Sequence, residues 1–191
     1  MKFTKIPEDT FQKLQLNAGI LLDSFDPETA SVELASIFGA TTGGINFTAT
    51  PTFSDFGEDI DNVPKNMKEL KELDSWDISL TGTYVTIDAN GVLSLIGAGD
   101  ISENKITPRN ILKEEDFKDI WWVGDYSDEN GDTNGGFVAI HMKNALSTGG
   151  FSIQSNDNGK GNFAFTYTAH YSIAEQDVVP FEVYVQAGQA A

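Results

Sequence analysis

The sequence predicts a mainly β protein: a β-sandwich or barrel with one flanking α-helix and a long extended β-hairpin. Three observations predict it. Eight or so stretches of strand-like composition recur with turn signals between them. Only one segment, near 90–98, has the apolar spacing of a helix. And 191 residues with a 40% hydrophobic fraction suffice for one sizeable core. No internal repeat, low-complexity segment or linker divides the chain, so residues 1–191 read as a single domain.

Pro7 to Gln12 suits one helical turn, with Pro at the start and acids early. Leu14 to Phe25 holds a strand centred on Ala18 to Leu22, ended by the turn Asp26-Pro27-Glu28-Thr29. Val32 to Phe38 reads as a short strand or a helical piece, before the glycine-rich stretch to Gly44. Asn90-Gly91 is a hairpin signal, but Val92, Leu93, Leu95 and Ile96 have helical spacing, and Asp88 or Asn90 can cap a helix that Gly97 or Gly99 stops, so a single short helix is the favoured reading. Lys105 to Arg109 is extended, and Lys113 to Phe117 fits one helical turn. Ile120 to Tyr126 is a strand with Trp121 and Trp122 on opposite faces. An acidic turn, Ser127 to Gly136, leads to Phe137–Lys143, with Val138, Ile140 and Met142 on one face. Phe151 to Gln154 is a short strand and Asn156 to Gly161 a turn. Phe163, Phe165, Tyr167, Ala169 and Tyr171 point inward along the next strand, and Phe181, Val183 and Val185 mark the last. Residues 187–191 form a small, polar tail expected to fray.

The hairpin dominates. In its first arm Ile45, Phe47, Ala49, Pro51 and Phe53 alternate with Asn46, Thr48, Thr50, Thr52 and Ser54. In its second, Trp76, Ile78, Leu80, Gly82 and Tyr84 alternate with Asp77, Ser79, Thr81 and Thr83. Such alternation puts one face in the core and one in water. The wet face is almost wholly hydroxyl and amide, with one Asp and no Lys or Arg. After Tyr84 the alternation slips to Val85 and Ile87, which predicts a bulge there. Between the arms, residues 55–75 are far too many for an ordinary hairpin turn. Phe56, Ile60, Val63, Met67, Leu70 and Leu73 give this segment apolar contacts to make. It is either an arm that packs on another copy of the chain or a lobe folded onto its own domain.

Asp and Glu number 29 against 12 Lys and Arg, a formal charge of −17. That excess opposes affinity for nucleic acid and for anionic membranes. With no Cys there is no disulfide, thiolate nucleophile or Cys zinc site. The start of the chain shows no signal-peptide pattern, and the longest apolar run, near Val92 to Ala98, is too short to cross a bilayer. The expectation is a soluble chain made in the cytoplasm.

Catalytic motifs are wanting. His141 and His170 each read as ordinary mid-strand residues, without the further ligands of a zinc site or a positioned nucleophile. Neither GxSxG nor HExxH occurs. Asp125, Asp128, Glu129 and Asp132 surround Gly131, but the calcium-loop register puts Tyr126 at its first position. Around Gly159 the same register begins at Gln154 and fails as well. Pairs such as Glu114–Glu115 and Glu58–Asp59 are expected by chance among so many acids. Gly97-Ala98-Gly99 lacks the βαβ setting of a dinucleotide loop. Asn46-Phe47-Thr48 is a glycosylation sequon by letter alone. The reading is therefore a non-enzymatic protein without a cofactor or metal.

Four stretches carry a resemblance: "KIPEDTFQKLQLNAGILLDSFDPET", "GATTGGINFTATPTFSDFGEDIDNVPKNMKELKELDSWDISLTGTYVTID", "NKITPR" and "FAFTYTAHYS" with the closing "PFEVYV". Together they resemble the major tail tube proteins of long-tailed bacteriophages and prophages of Gram-positive bacteria. The resemblance covers nearly the whole chain and is loosest over Val32 to Gly44.

It implies a structural virion protein that self-assembles into hexameric rings, stacked into the tail tube. It implies a tape measure protein inside the tube and tail terminator and distal tail proteins at its ends. Duplex DNA passes through later without being bound, and no membrane is a partner. The place of action is then the virion tail, after synthesis in the bacterial cytoplasm. Acidity fits: six copies would carry about −102, and a wall without cations gives DNA nothing to adhere to.

On this reading Thr48, Thr50, Thr81 and Asp77, with the loop acids Asp55, Glu58, Asp59 and Asp61, include positions facing the lumen. Phe56, Ile60, Val63, Met67, Leu70 and Leu73 belong to an inter-subunit arm. The rival readings are the inner tube of a contractile tail or injection system, and a carbohydrate-binding β-sandwich with Trp76, Trp121 and Trp122 as stacking platforms.

Overall fold

The computed structural model describes residues 5–7, 10, 13–126 and 136–186. The expected acidic turn after Tyr126, the fraying of the tail and most of the first helical turn lie outside these residues.

A β-sandwich with one flanking helix results. The strands are β1 (Gln15–Leu22), β2 (Thr41–Asp55), β3 (Lys71–Tyr84), β4 (Gly99–Ser102), β5 (Lys105–Pro108), β6 (Lys118–Tyr126), β7 (Phe137–Ser147), β8 (Phe163–Ala169) and β9 (Phe181–Gln186). The helix α1 spans Ala89–Ile96. Strands follow one another antiparallel in the order β1-β6-β7-β8-β3-β2, and β9 adds to β7. β4 and β5 pair separately.

β7 joins the two layers. Its first half, Phe137 to Met142, pairs with β9, while Ala145 to Ser147 pair with β8. Asn144 lies between them at φ 49°, where Asn is among the few side chains that sit comfortably. Inside the sandwich, Leu21, Ile120 and Met142 meet Ile78, Leu80, Tyr84, Phe165 and Tyr167, and Leu95 of α1 closes the core. Each such Leu or Ile contributes roughly 1.5–3 kcal/mol by its burial. Gly82 lets Phe165 lie against the β3 backbone: a Cβ there would sit 2.5 Å from Phe165 Cζ.

The outer face of the β1-β6-β7-β9 layer is apolar too. Leu22, Phe25, Trp121, Phe137 and Ala139 form a second cluster there. Val138, Ile140 and Met142 share one face of β7 as expected, and the other face is covered as well. Val138 and Ile140 are half-buried, whereas Phe137 and Ala139 on the opposite face are fully buried. The two tryptophans do point to opposite faces: Trp121 joins the outer cluster and Trp122 the inner one.

α1 forms where its signals placed it. Asp88 is the cap, its carboxylate accepting from Gly91 N–H at 2.7 Å, and Gly97 ends the helix at φ 81°. Asp26 organises its turn by accepting from Glu28 N–H and Thr29 Oγ1. Other details differ from expectation. β3 stops at Tyr84, and the bulges fall instead between Thr41 and Ile45 and between Thr52 and Phe53. Phe151 to Gln154 makes only an isolated bridge, Gln154 to Asn162. Of the two readings of Val32 to Phe38, the helical one holds, as a short 3-10 turn, Leu34–Ser36. Beyond β8, His170 is no longer mid-strand and Tyr171 is exposed, its hydroxyl accepting from Trp76 N–H at 3.0 Å.

Candidate assembly and conduit surfaces

Pleating turns every second residue of β2, β3 and β8 to the outer face of their layer. Register then decides which of them align. Thr48 lies opposite Ser79, and Ser79 opposite Thr168. Thr148 extends that row, its hydroxyl 2.7 Å from Thr168 Oγ1, while Thr48 and Ser79 hydroxyls are 3.3 Å apart. The adjacent row runs Asn46, Thr81, Thr166, and Thr50 faces Asp77 on the other side. Three strands, with Thr148 just past the end of β7, thus present one continuous hydroxyl surface. No lysine or arginine stands in these rows, and Asp77 is exposed within them.

Thr48, Thr50, Thr81 and Asp77 are therefore brought together as the sequence expected. Thr148, Thr166 and Thr168 belong with them and were missed. The signal for Thr166 and Thr168 was the alternation of β8, whose Phe163, Phe165 and Tyr167 turn inward and leave threonines outward.

Asp55, Glu58, Asp59 and Asp61 are elsewhere. β8 accompanies β3 only from Ser79 to Tyr84, so β2 and β3 run on as a two-stranded ribbon to the pair Asp55–Lys71. Eight residues, 71–78, give it a reach of roughly 26 Å. Its tip, residues 56–70, is held by its own bonds. The Asp55 carboxylate accepts from Gly57 N–H and Asn66 N–H, each at 2.9 Å, and Phe56 N–H donates to Leu70 C=O at 2.9 Å. Those two backbone donors, Gly57 first, hold the Asp55 carboxyl below the usual carboxylate range. Asp55 is thus a fastener of the tip. Glu58, 3.7 Å from Lys65, and Asp59 and Asp61 are exposed on it.

Of the expected arm residues, Val63 and Leu70 pack beside Gly57 inside the tip. Phe56, Ile60, Met67 and Leu73 are exposed, and so is Phe53, with Lys71 Nζ 5.2 Å from its ring centre.

The remaining candidates for chemistry are engaged in the fold. His141 stacks on Trp121 with ring centres 4.0 Å apart, and its Nε2 lies 3.0 Å from Asp119 Oδ2. His170 Nδ1 is 3.3 Å from Asn144 O. Trp76 packs on Phe181, and Trp122 donates its indole N–H to Ala18 C=O at 2.9 Å. A cavity of about 350 Å³ lies between α1, β4 and the core, with Ser94, Tyr167, Asp116 and Lys118 in its lining. Burial pushes the Asp116 carboxyl up, but the Lys113 N–H and the Arg109 guanidinium outweigh it and hold it low. Glu114 and Glu115 lie beside this ion network on a 3-10 turn, Glu114–Asp116. Among the described residues no group of three His, Asp or Glu is placed to hold a metal. None of their helices is long and apolar enough to cross a membrane.

No known family model matches this sequence, and no curated protein is significantly similar to it.

Proposed function

We propose that this chain is a tube-forming structural protein of the phage-tail type, stacking as rings around a bore that conducts DNA. The observation that carries the proposal is the hydroxyl surface of β2, β3 and β8, rowed across strands without a cation, at the foot of a ribbon with an exposed apolar tip. A passing polyanion is held by Lys and Arg contacts to its phosphates. A wall of Thr48, Thr81, Thr166 and Thr168 with Asp77 supplies none. Screening over about 8 Å makes the repulsion short-ranged, so the wall lubricates and does not push from afar.

The ribbon supports the other half of the proposal. Exposed clusters of large apolar residues mark surfaces that partners cover. Among the described residues β2 also ends its sheet with an unpaired edge, and closure of such edges between copies removes a template for uncontrolled pairing. A head-to-tail contact that closes by rotation makes a ring, and one that does not makes a filament. In this account the tape measure protein occupies the bore before DNA, and terminator and distal tail proteins cap the ends. The tip acids Glu58, Asp59 and Asp61 then border the subunit contact instead of forming the wall.

Sedimentation velocity and negative-stain microscopy of the purified chain test this reading. Rings or tubes that grow with concentration are the expected result. A monomer at every concentration would overturn it.

A further inference from the structure

The ribbon tip is unevenly charged. Residues 65–71 hold Lys65, Lys68 and Lys71, a quarter of the chain's 12 Lys and Arg, with Glu69 the only acid among them. Lys65 and Lys68 are exposed and pair with Glu58 and Glu69 at 3.7 and 3.4 Å. Exposed pairs of this kind contribute about 0–1 kcal/mol and are readily exchanged for better ones. Beside these lysines stand the exposed Phe53, Met67 and Leu73.

The opposite composition is found in the loop after β8. Residues 171–178 carry Glu175 and Asp177, and residues 161–191 contain neither Lys nor Arg. Two successive turns shape the loop, Glu175 N–H to Ser172 C=O and Val178 N–H to Glu175 C=O. They leave Ile173 90% exposed, with Tyr171 and Val178 also at the surface. Tyr171 anchors the loop at Trp76, five residues inward from Lys71, or about 17 Å along the strand.

We infer that the lysine limb of the tip, residues 65–71, docks on the acidic loop 171–178 of a second copy of the chain, seating Ile173 against Met67 and Leu73. This rests on the self-assembly reading above and names the surface that receives the ribbon. Complementary charge fixes the register and apolar contact adds affinity. The contact is heterologous, since tip and loop are different surfaces, so each copy both gives and receives.

Charge exchange tests it in the full-length protein. The pair Lys65→Glu with Lys68→Glu should raise the concentration needed for assembly by about tenfold or more. The pair Glu175→Lys with Asp177→Lys should do the same. That second result separates docking from bulk repulsion, because it makes a chain of −17 less acidic and would otherwise help assembly. Combining all four should restore assembly. Either double variant assembling like the parent chain, or the quadruple variant failing to recover while still folded by circular dichroism, would overturn the docking. Those outcomes leave the tube reading intact, whereas a parent chain that never assembles overturns both.

Discussion

The two ends of one hairpin meet opposite fates. At the sandwich end, Ile78, Leu80 and Tyr84 of β3 are at most 3% exposed. At the ribbon end Phe53, Phe56 and Leu73, on the same pair of strands and their turn, are 45–60% exposed. Both ends are rich in large apolar residues. What differs is the opposing layer: Leu21, Ile120 and Met142 cover the first, while Phe53, Phe56 and Leu73 lie outside that core cluster. On the proposed reading, the exposed apolar residues of the tip serve assembly, whereas Val63 and Leu70 pack within the tip itself.

Removal of the tip should have the largest effect. Replacing residues 56–70 by Asn-Gly joins Asp55 to Lys71, which already face each other, through a two-residue turn. The expected product is a cooperatively folding monomer that forms no tubes, as read by thermal melts and microscopy. Tubes from this variant would show that the tip is not an assembly element.

Point changes sharpen the contrast. Leu80→Ala should cost about 3 kcal/mol, because it empties a fully buried site. Phe56→Ser should change unfolding free energy by no more than about 0.5 kcal/mol while impairing assembly. Equal destabilisation by both, measured in urea, would erase the distinction between the two ends.

Acid should loosen the tip before the sandwich. The Asp55 carboxyl is held below its ordinary range by Gly57 and Asn66 N–H. A depressed carboxyl stabilises the fold above its unfolded pKa, and that contribution is lost as pH falls through the folded value. Protection of the Gly57 and Asn66 amides, relative to their intrinsic exchange rates, should therefore fall below about pH 4 and be lost across the pH range in Asp55→Ala. Unchanged exchange would free Asp55 from its fastening role.

The smallest effect on the isolated chain belongs to the hydroxyl face. Asp77→Lys should alter stability by no more than about 0.5 kcal/mol, since the side chain is exposed. In assembled particles it should leave tubes intact and slow DNA ejection. Unchanged ejection would remove Asp77 from the bore.

How much of this was legible in the sequence follows the range of the forces involved. The helix was readable because Asp88 and Gly97 act on neighbours three or four residues away. The hairpin was readable because period-two alternation is local. The double-faced burial of β7 was not, because Phe137 and Ala139 are covered by Phe25, from the segment after β1, and by Trp121 of β6. Nor was the role of Asp55, whose second partner, Asn66, is eleven residues on. Half of the hydroxyl surface was visible in the hairpin. The rest needed the pairing of β3 with β8, which no residue of either strand announces.

The central claim is that the outer face of β2, β3 and β8 walls a bore. A cryo-electron microscopy reconstruction of the assembled protein tests it most directly. The account predicts an open channel lined by Thr48, Asp77, Thr81, Thr166 and Thr168, with each ribbon tip seated on a neighbouring copy. A reconstruction in which that face is buried between subunits, or in which lysines line the channel, would contradict it.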